Sequence, residues 1–333
     1  MNIARHIITV DYHVMGEPLR IVIGGLPFLK GDSINSKKNY FAENFDHLRS
    51  ALILEPRGHD NMFGAVLCEP VSDYADVGLF FMHSAGYLDM CGHGIIGAVT
   101  SVVELGLLNK KIESVTEVIL ETPAGLIYAY AHVEHGVVGH VKFRNVPSFV
   151  LYKNLMVPVP GFKEISVDIA YGGNFFCLAS AKELGVEIKR DNIQNLILLG
   201  MKLLKLVNET ACVYHPGCSG LRKVELVEIY QGGNQTNKNC VVFGNNQVDR
   251  SPCGSGTSAL LAQKYFNNEI KINETLINES IIGTKFIGRA VEEVKVGDFK
   301  AIIPEIQGRA HVTGNHHFII DRDDPLSEGI TLI

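Results

Sequence analysis

The chain has 333 residues, of which 46% are apolar and 20% charged, proportions ordinary for a globular protein with a sizeable core. The net charge is −6 and no basic tract stands out, which argues against a nucleic-acid partner. No uncharged apolar stretch of about 18 residues occurs and the first residues do not resemble a secretory signal, so we expect neither a membrane span nor export. A cytoplasmic protein is expected, and at about 150 residues per domain its length suggests two domains.

Seven cysteines are irregularly spaced and include no Cys-x-x-Cys pair. An odd number without a secretion signal favours free thiols in a reducing compartment over a disulfide framework. Most of them are expected to fill the core, as small buried side chains often do. They are Cys68, Cys91, Cys177, Cys212, Cys218, Cys240 and Cys253.

The first half of the chain mixes strand and helix patterns. Alternating apolar residues predict strands over 7–10 and 19–23, before the Gly24-Gly25 turn. A helix is predicted next, because apolar residues recur at helical spacing: Phe41, Phe45, Leu48 and Leu52. Further strands are predicted over 65–68, 77–82, 117–121 and 126–133. The segment 95–105 is apolar nearly all round and is followed by Gly106, which predicts a central buried helix with a glycine cap.

The second half repeats this theme. A helix is predicted over 193–207, strands over 223–230 and 240–243, and a mostly apolar helix from Thr257. Strand-rich sequence then continues up to Ile320. No low-complexity linker or composition shift separates the halves.

One short motif occurs in both halves. Met90-Cys91-Gly92-His93-Gly94 and Pro252-Cys253-Gly254-Ser255-Gly256 share the pattern Cys-Gly-x-Gly, and each precedes an apolar helix. The two cysteines are 162 positions apart (253 − 91), which is about half the chain. The shared helix after each motif favours an internal duplication over coincidence.

This arrangement suits acid/base chemistry at carbon. A cysteine at a helix start lies beside unpaired N–H groups and the positive end of the helix dipole, which lowers a thiol pKa. The same N–H groups can bind a carboxylate, and the glycines allow close approach. With two such elements, one thiolate can remove an α-proton and the other thiol can return a proton from the opposite face. Asp249, four residues before Cys253, is placed to bind an amine.

Other interpretations of the motif remain open at this point. A cysteine near glycines is often structural. His93 and Cys91 could ligate zinc, although no second ligand pair is evident. Cys-Gly-x-Gly could also form a loose phosphate loop, but it lacks the Lys-Ser/Thr ending of a P-loop and the dinucleotide fingerprint.

The chain resembles the proline racemase family, which also includes 4-hydroxyproline 2-epimerases and trans-3-hydroxyproline dehydratases. The matching stretches run along the chain: GEPLR at 16–20, EPRGHD at 55–60, MCGHG at 90–94, GGNFF at 172–176 and DRSPCGSGT at 249–257. The resemblance implies an α/β fold like that of diaminopimelate epimerase. Two pseudo-symmetric domains, residues 1–147 with 318–333 and residues 148–317, would each wrap a barrel-like sheet around a central helix, with the active site in the cleft between them.

The resemblance also implies roles for individual residues. Cys91 and Cys253 would be the two bases, and Asp249 would bind the ring amine. The backbone of Gly92-His93 and of Gly254-Ser255 would hold the carboxylate, with the His93 side chain in a supporting role. Family dehydratases carry Thr where this chain has Cys253, which disfavours dehydration. Phe63 and Phe243 would form aromatic walls suited to an unsubstituted pyrrolidine ring; their alternative role is ordinary core packing.

The function so implied is interconversion of L- and D-proline by a homodimer without cofactor or metal. The alternative is 4-hydroxyproline 2-epimerase, and an alternative of another class is a non-catalytic amino-acid-binding protein. Two departures from the family pattern leave the preferred substrate open: Val14 stands near a usual Thr, and Gly220 stands where a His is usual.

Overall fold

A computed structural model describes residues 3–159, 164–217, 221–233 and 235–331. The chain forms two compact units, Met1–Phe143 with Arg309–Ile333, and Arg144–Gly308. The helices of the first unit are α1 (Ile34–Ile53) and α2 (Gly92–Glu104). Its strands are β1 (Ile3–Val14), β2 (Glu17–Gly24), β3 (Phe63–Cys68), β4 (Val77–His83), β5 (Gly86–Leu88), β6 (Val115–Thr122), β7 (Gly125–Glu134), β8 (Val137–Arg144) and β20 (Ala310–Asp321).

The sheet of the first unit surrounds α2. Its strands pair in the order β20, β1, β2, β3, β4, β6 and β7, in which β2/β3 and β4/β6 are parallel and the other pairs antiparallel. Helix α2 contacts β1, β2, β3, β7 and β20. Every residue from Gly92 to Val103 is buried, because the helix presents apolar or small side chains on all sides to the surrounding sheet. The predicted central buried helix is therefore confirmed.

The second unit contains α3 (Ile193–Thr210) and α4 (Gly254–Phe266). Its strands are β9 (Ser148–Val157), β10 (Ile165–Tyr171), β11 (Phe175–Ser180), β12 (Val213–Tyr214), β13 (Leu221–Arg222), β14 (Leu226–Gly232), β15 (Thr236–Phe243), β16 (Gln247–Asp249), β17 (Thr275–Glu279), β18 (Lys285–Val296) and β19 (Phe299–Gly308).

Eight strands of the second unit close into a barrel. The pairing runs β9, β10, β11, β14, β15, β17, β18 and β19, and β19 returns to β9. Closure leaves these strands without a free edge. Helix α4 contacts β9, β10, β11, β18 and β19 and is buried from Gly254 to Lys264.

The two units have the same strand pattern. The parallel pairs β2/β3 and β4/β6 correspond to β11/β14 and β15/β17, and the short strands β5 and β16 each precede a buried helix. Strand β20, which pairs with β1, takes the position that β9 has beside β10. This correspondence supports the internal duplication, and the fold predicted from the family resemblance is confirmed.

Several element boundaries differ from the predictions. Both buried helices begin at the glycine after cysteine, at Gly92 and Gly254, so the glycine motifs lie inside the helices. Strand β14 begins at Leu226 rather than at residue 223, because the Asn208 side chain bonds to both backbone groups of Val224 and takes them from a sheet ladder. Among the described residues, no helix is long and apolar enough to cross a membrane.

The last strand bears on the domain limits expected from the sequence. Strand β20 pairs with β1 from Ala310 to Asp321, so residues 310–317 lie in the first unit. The expected limits had placed them in the second domain. Assignment of the units as evolutionary domains stays a prediction.

Candidate active site

Cys91 lies immediately before α2. Its backbone is extended, with φ −146° and ψ 115°, and its thiol accepts a hydrogen bond from the N–H of Gly94 at 3.3 Å. This is the geometry of a helix N-cap, in which a side chain satisfies one of the unpaired N–H groups of the first turn. The first turn of α2 therefore holds the Cys91 sulfur in place.

The His93 side chain touches the Cys91 thiol. The distance from Cys91 Sγ to His93 Nδ1 is 3.1 Å, and to Nε2 it is 3.7 Å. Burial lowers the pKa of His93 to about 3, although the ring also donates a hydrogen bond to the Pro18 carbonyl, which acts the other way. His93 is thus neutral near pH 7, and one of its ring nitrogens can accept a hydrogen bond from the Cys91 thiol. The family resemblance predicts a supporting role for this side chain.

Phe63 belongs to the same group. Its ring meets the His93 ring edge-on, with centroids 4.6 Å apart, and stacks on His83 at 6.2 Å. Phe63 and His83 are directly opposite each other on β3 and β4, so both side chains project to the same face of the sheet. The first unit therefore brings together Cys91, His93 and Phe63, three of the residues selected from the sequence.

Cys253 has the equivalent position before α4 but a different backbone. Its φ is +58° and its ψ is 107°, in the left-handed region that non-glycine residues rarely adopt. Ser251 holds it there, because the Ser251 hydroxyl accepts the N–H of Cys253 at 3.1 Å. The Ser255 hydroxyl lies 3.7 Å from the Cys253 sulfur. Strain of this kind persists only where surrounding contacts enforce it, and it often occurs at functional sites.

Asp249 is the acidic partner of Cys253. The Asp249 carboxylate accepts hydrogen bonds from the backbone N–H of Ser251 at 2.8 Å and from the Cys253 thiol. Burial raises the pKa of Asp249 to about 6, and these hydrogen bonds partly oppose that shift. Burial and the charges of Asp249 and Glu228 raise the pKa of Cys253 well above its usual value. The lowered thiol pKa predicted from the helix N-terminus is therefore wrong for Cys253, where burial and two carboxylates outweigh the helix.

The remaining predicted residues lie near these groups in their own units. Gly92 and Gly254 are buried first residues of α2 and α4, where backbone N–H groups lack partners within the helix. Phe243 is buried at the end of β15, opposite Gln247 on β16, the strand that ends in Asp249. Gly220 and Cys218 lie outside the described residues.

A zinc site at Cys91 and His93 would need further protein ligands. Among the residues with described positions, no group of three or more His, Cys, Asp and Glu side chains could hold a metal ion. Glu228 is an acidic residue that the sequence motifs do not reveal, and it is fully buried. The sequence indicates Glu228 only by a single carboxylate within the largely apolar strand Leu226–Gly232, where acidic side chains are uncommon.

Comparisons with known proteins identify the family of this chain. Residues 9–331 match the proline racemase family. The chain is 46% identical over 335 residues to a proline racemase of Clostridioides difficile and 47% identical over 336 residues to one of Acetoanaerobium sticklandii, covering all of both. It is similar to the crystal structure of an Agrobacterium vitis hydroxyproline epimerase with bound trans-4-hydroxy-L-proline, with TM-score 0.94, 31% identity and coverage of 100% of this chain and 97% of that one. This chain therefore belongs to the proline racemase family.

Proposed function

We propose that this protein interconverts L- and D-proline with Cys91 and Cys253 as the two acid/base groups. One observation carries the proposal: each cysteine immediately precedes a buried helix, and each thiol contacts a hydrogen-bond acceptor, His93 or Asp249. The identity of 46–47% to curated proline racemases supports proline as the substrate.

In the proposed reaction, one cysteine acts as thiolate and the other as thiol. The thiolate takes the Cα proton of proline, and the electron pair of the broken C–H bond moves towards the substrate carboxylate. The other thiol gives its proton to Cα from the opposite face and becomes a thiolate. One S–H bond forms and one breaks, so the stereocentre inverts without an added oxidant, reductant or cofactor.

His93 and Asp249 orient the two thiols. Neutral His93 can accept a hydrogen bond from the Cys91 thiol, and ionised Asp249 accepts one from the Cys253 thiol. The direction of turnover depends on which thiol is ionised when the substrate binds. Asp249 also supplies a negative charge for the ring amine, as expected from the sequence.

The helix starts would stabilise the transition state. Negative charge builds on the substrate carboxylate as the Cα proton leaves, and backbone N–H groups aimed at it lower the barrier. The first turns of α2 and α4, at Gly92-His93 and Gly254-Ser255, have such groups. Phe63 adds an apolar wall in the first unit, and we assign the same role to Phe243 in the second. An unsubstituted ring loses no hydrogen bond against such walls.

The second candidate is 4-hydroxyproline 2-epimerase, supported by the similarity to the Agrobacterium vitis structure. A non-catalytic binding protein would gain nothing from two thiols that each contact a proton acceptor. Polarimetry separates the three candidates: purified protein without added cofactor is incubated with L-proline and, separately, with trans-4-hydroxy-L-proline. Faster change with L-proline supports the proposal, faster change with the hydroxylated substrate supports the epimerase, and no change with either refutes both.

The two-base mechanism has its own test. In D2O the early product should carry deuterium at Cα while recovered substrate does not, because different groups remove and return the proton. Cys91→Ser and Cys253→Ser should each lower the rate by at least about 100-fold, since a hydroxyl is a far weaker acid than a thiol. Cys212→Ser is the control, because Cys212 is an exposed free cysteine. Deuterium in recovered substrate at early times would contradict the two-base mechanism.

We also propose a homodimer and a cytoplasmic location, as expected from the sequence. Light scattering during size-exclusion chromatography tests the first, and fractionation of the source cells tests the second. A monomer at all concentrations used for the activity assay would refute the dimer.

A further inference from the structure

Glu228 is a buried carboxylate beside the Cys253 half of the site. Its side chain on β14 is 0% exposed, and Oε1 accepts a hydrogen bond from the Asn239 amide at 2.8 Å. Oε2 has no hydrogen-bond partner among the described residues. A Cβ built on Gly256 would lie 2.5 Å from Oε2 and 3.3 Å from the Cβ of Cys253. The unpartnered oxygen therefore lies against the first turn of α4, close to Cys253.

The same amides hold the peptide that precedes Cys253. The Pro252 carbonyl accepts hydrogen bonds from the Asn239 amide at 2.7 Å, the Asn278 amide at 3.3 Å and the Thr257 hydroxyl at 3.1 Å. Asn278 also reaches Glu228 Oε1, at 3.5 Å. Because Cys253 has a strained left-handed backbone, these bonds to the residue before it help to keep it there. Glu228 orients the amides that make two of them.

Strand register places Glu228 and Asp249 on the same face of the sheet. Glu228 is opposite Val241, and Val241 is in turn opposite Asp249, so the three residues form one rung across β14, β15 and β16. In the first unit the corresponding rung is Ala65, Phe81 and Leu88. The second unit thus has two carboxylates where the first has apolar side chains. This asymmetry affects only the Cys253 half of the site.

The charged and titratable groups around Glu228 favour its neutral form. Asp249 on β16 is negative when ionised, and Cys240 on β15 and Cys253 on α4 are thiols that the Glu228 charge affects. Lys264 on α4 is the opposing cation, but its ammonium group donates to Glu269 and to the Gly233 carbonyl, each at 3.0 Å. Burial raises the pKa of Glu228 to about 7, with Asp249 acting in the same direction and Lys264 against it.

We propose that Glu228 is a positioning residue that controls ionisation of Cys253. When Glu228 is protonated, it orients the amides that bind the Pro252 carbonyl and permits the Cys253 thiolate. When Glu228 is ionised, its charge holds Cys253 as the thiol. This deepens the proposed function, since it treats Cys253 as one of the two bases. In the first unit the corresponding rung is apolar, so Cys91 serves as the reference thiol. Alkaline pH should therefore suppress the reactivity of Cys253 relative to that of Cys91.

The test measures thiol alkylation, which needs no turnover. Substrate-free protein is treated with iodoacetamide between about pH 5.5 and 8.5, and modification of Cys253 and Cys91 is followed by peptide mass spectrometry. Glu228→Gln is the key variant, because glutamine keeps the size and an amide oxygen but cannot ionise. Cys91 in the same molecules is the internal reference.

The expected result follows from the charge removed. A charge that raises a thiol pKa by one unit lowers its thiolate fraction about tenfold, so Cys253 should react about three- to tenfold faster in Glu228→Gln at about pH 8.5. The two proteins should react alike at about pH 5.5, where Glu228 is protonated, and Cys91 should not change at any pH. Superimposable Cys253 profiles at every pH would overturn the proposal.

A second variant covers the case in which Glu228→Gln does not fold. Asn239→Ala removes a hydrogen-bond donor to Glu228 that favours the ionised carboxylate, so the pKa of Glu228 should rise. The pH at which alkylation of Cys253 is suppressed should therefore rise as well. Suppression at an unchanged pH in Asn239→Ala would count against the proposal. Because alkylation is independent of substrate, a protein that fails to racemise proline can still confirm the role of Glu228, and the converse also holds.

Discussion

Gly94→Ala should destabilise the protein, although the same change in most helices stabilises. Alanine is favoured over glycine in a helix interior by about 1 kcal/mol. Here the new Cβ would lie 2.3 Å from Cε1 and 2.8 Å from Cδ1 of Phe81. Ordinary contact begins at 3.4 Å, so the ring would have to move about 1.1 Å (3.4 − 2.3). Phe81 is 0% exposed and has no space into which to move freely.

The magnitude follows from the difference between these two effects. A displacement of this size in a fully buried core costs about 2–3 kcal/mol, the upper part of the range for overpacking, which leaves a net loss of about 1–2 kcal/mol after the helix preference is included. For a unit of this size that corresponds to a midpoint lower by about 2–8 °C in thermal unfolding. Turnover should also fall, because the new Cβ would lie 3.2 Å from the Cys91 sulfur and would displace the thiol that the Gly94 N–H binds.

Calorimetry of parent and variant measures this effect, with Gly139→Ala as the control. The nearest atom to a Cβ on Gly139 is the His132 carbonyl oxygen at 3.7 Å, so that variant should unfold within about 1 °C of the parent. A Gly94→Ala protein as stable as the parent, or more stable, would refute the steric reasoning and show that Phe81 moves without cost.

Three further predictions concern other buried groups. His93→Phe keeps an aromatic ring against Phe63 but cannot hydrogen-bond to the Cys91 thiol, so the thiol is misplaced and the racemisation rate should fall about 100-fold in polarimetry while the unfolding midpoint changes little. Arg20→Met removes a 2.8 Å ion pair from buried Asp11, which keeps a hydrogen bond from Thr9 and a 3.5 Å contact with His316, so the free energy of unfolding in urea should fall by about 3 kcal/mol. Folding raises the pKa of Glu228 to about 7, so its stabilising contribution is present at low pH and is lost as the pH rises through 7. The unfolding midpoint of Glu228→Gln, relative to that of the parent, should therefore increase between about pH 5 and pH 8.

Each of these has a result that contradicts it. Unchanged turnover in His93→Phe would remove this histidine from the acid/base chemistry. An Arg20→Met protein with parental stability would mean that Asp11 finds another partner or takes up a proton. A midpoint difference that does not vary with pH in Glu228→Gln would mean that this carboxyl titrates in the fold as it does in the unfolded chain.

The sequence by itself predicted the fold class and singled out the two cysteine motifs, whose acid/base roles stay a proposal. The segment after Cys91 is apolar nearly all round and that after Cys253 is mostly apolar, which favours burial of both helices, because such helices offer little polar surface to water. The repeated Cys-Gly-x-Gly motif indicated the duplication, which the matching strand patterns of the two units support. Local rules sufficed here because periodicity and helix-terminus chemistry depend on residues close together in the chain.

Only the tertiary structure decided the surroundings of each thiol. His93 Nδ1 is 3.1 Å from the Cys91 sulfur, and Asp249 accepts a hydrogen bond from the Cys253 thiol. The family resemblance implied a mainly main-chain role for His93, and the helix-start position predicted a lowered pKa for both thiols. Glu228 lies close to the Cys253 half of the site because strands β14, β15 and β16 are neighbours in the sheet. The two residues are 25 positions apart in the sequence (253 − 228), so their proximity cannot be inferred from the sequence alone. The burial of a thiol and the charges around it depend on residues from distant parts of the chain. The pKa of Cys253 therefore depends on the fold and cannot be derived from its motif.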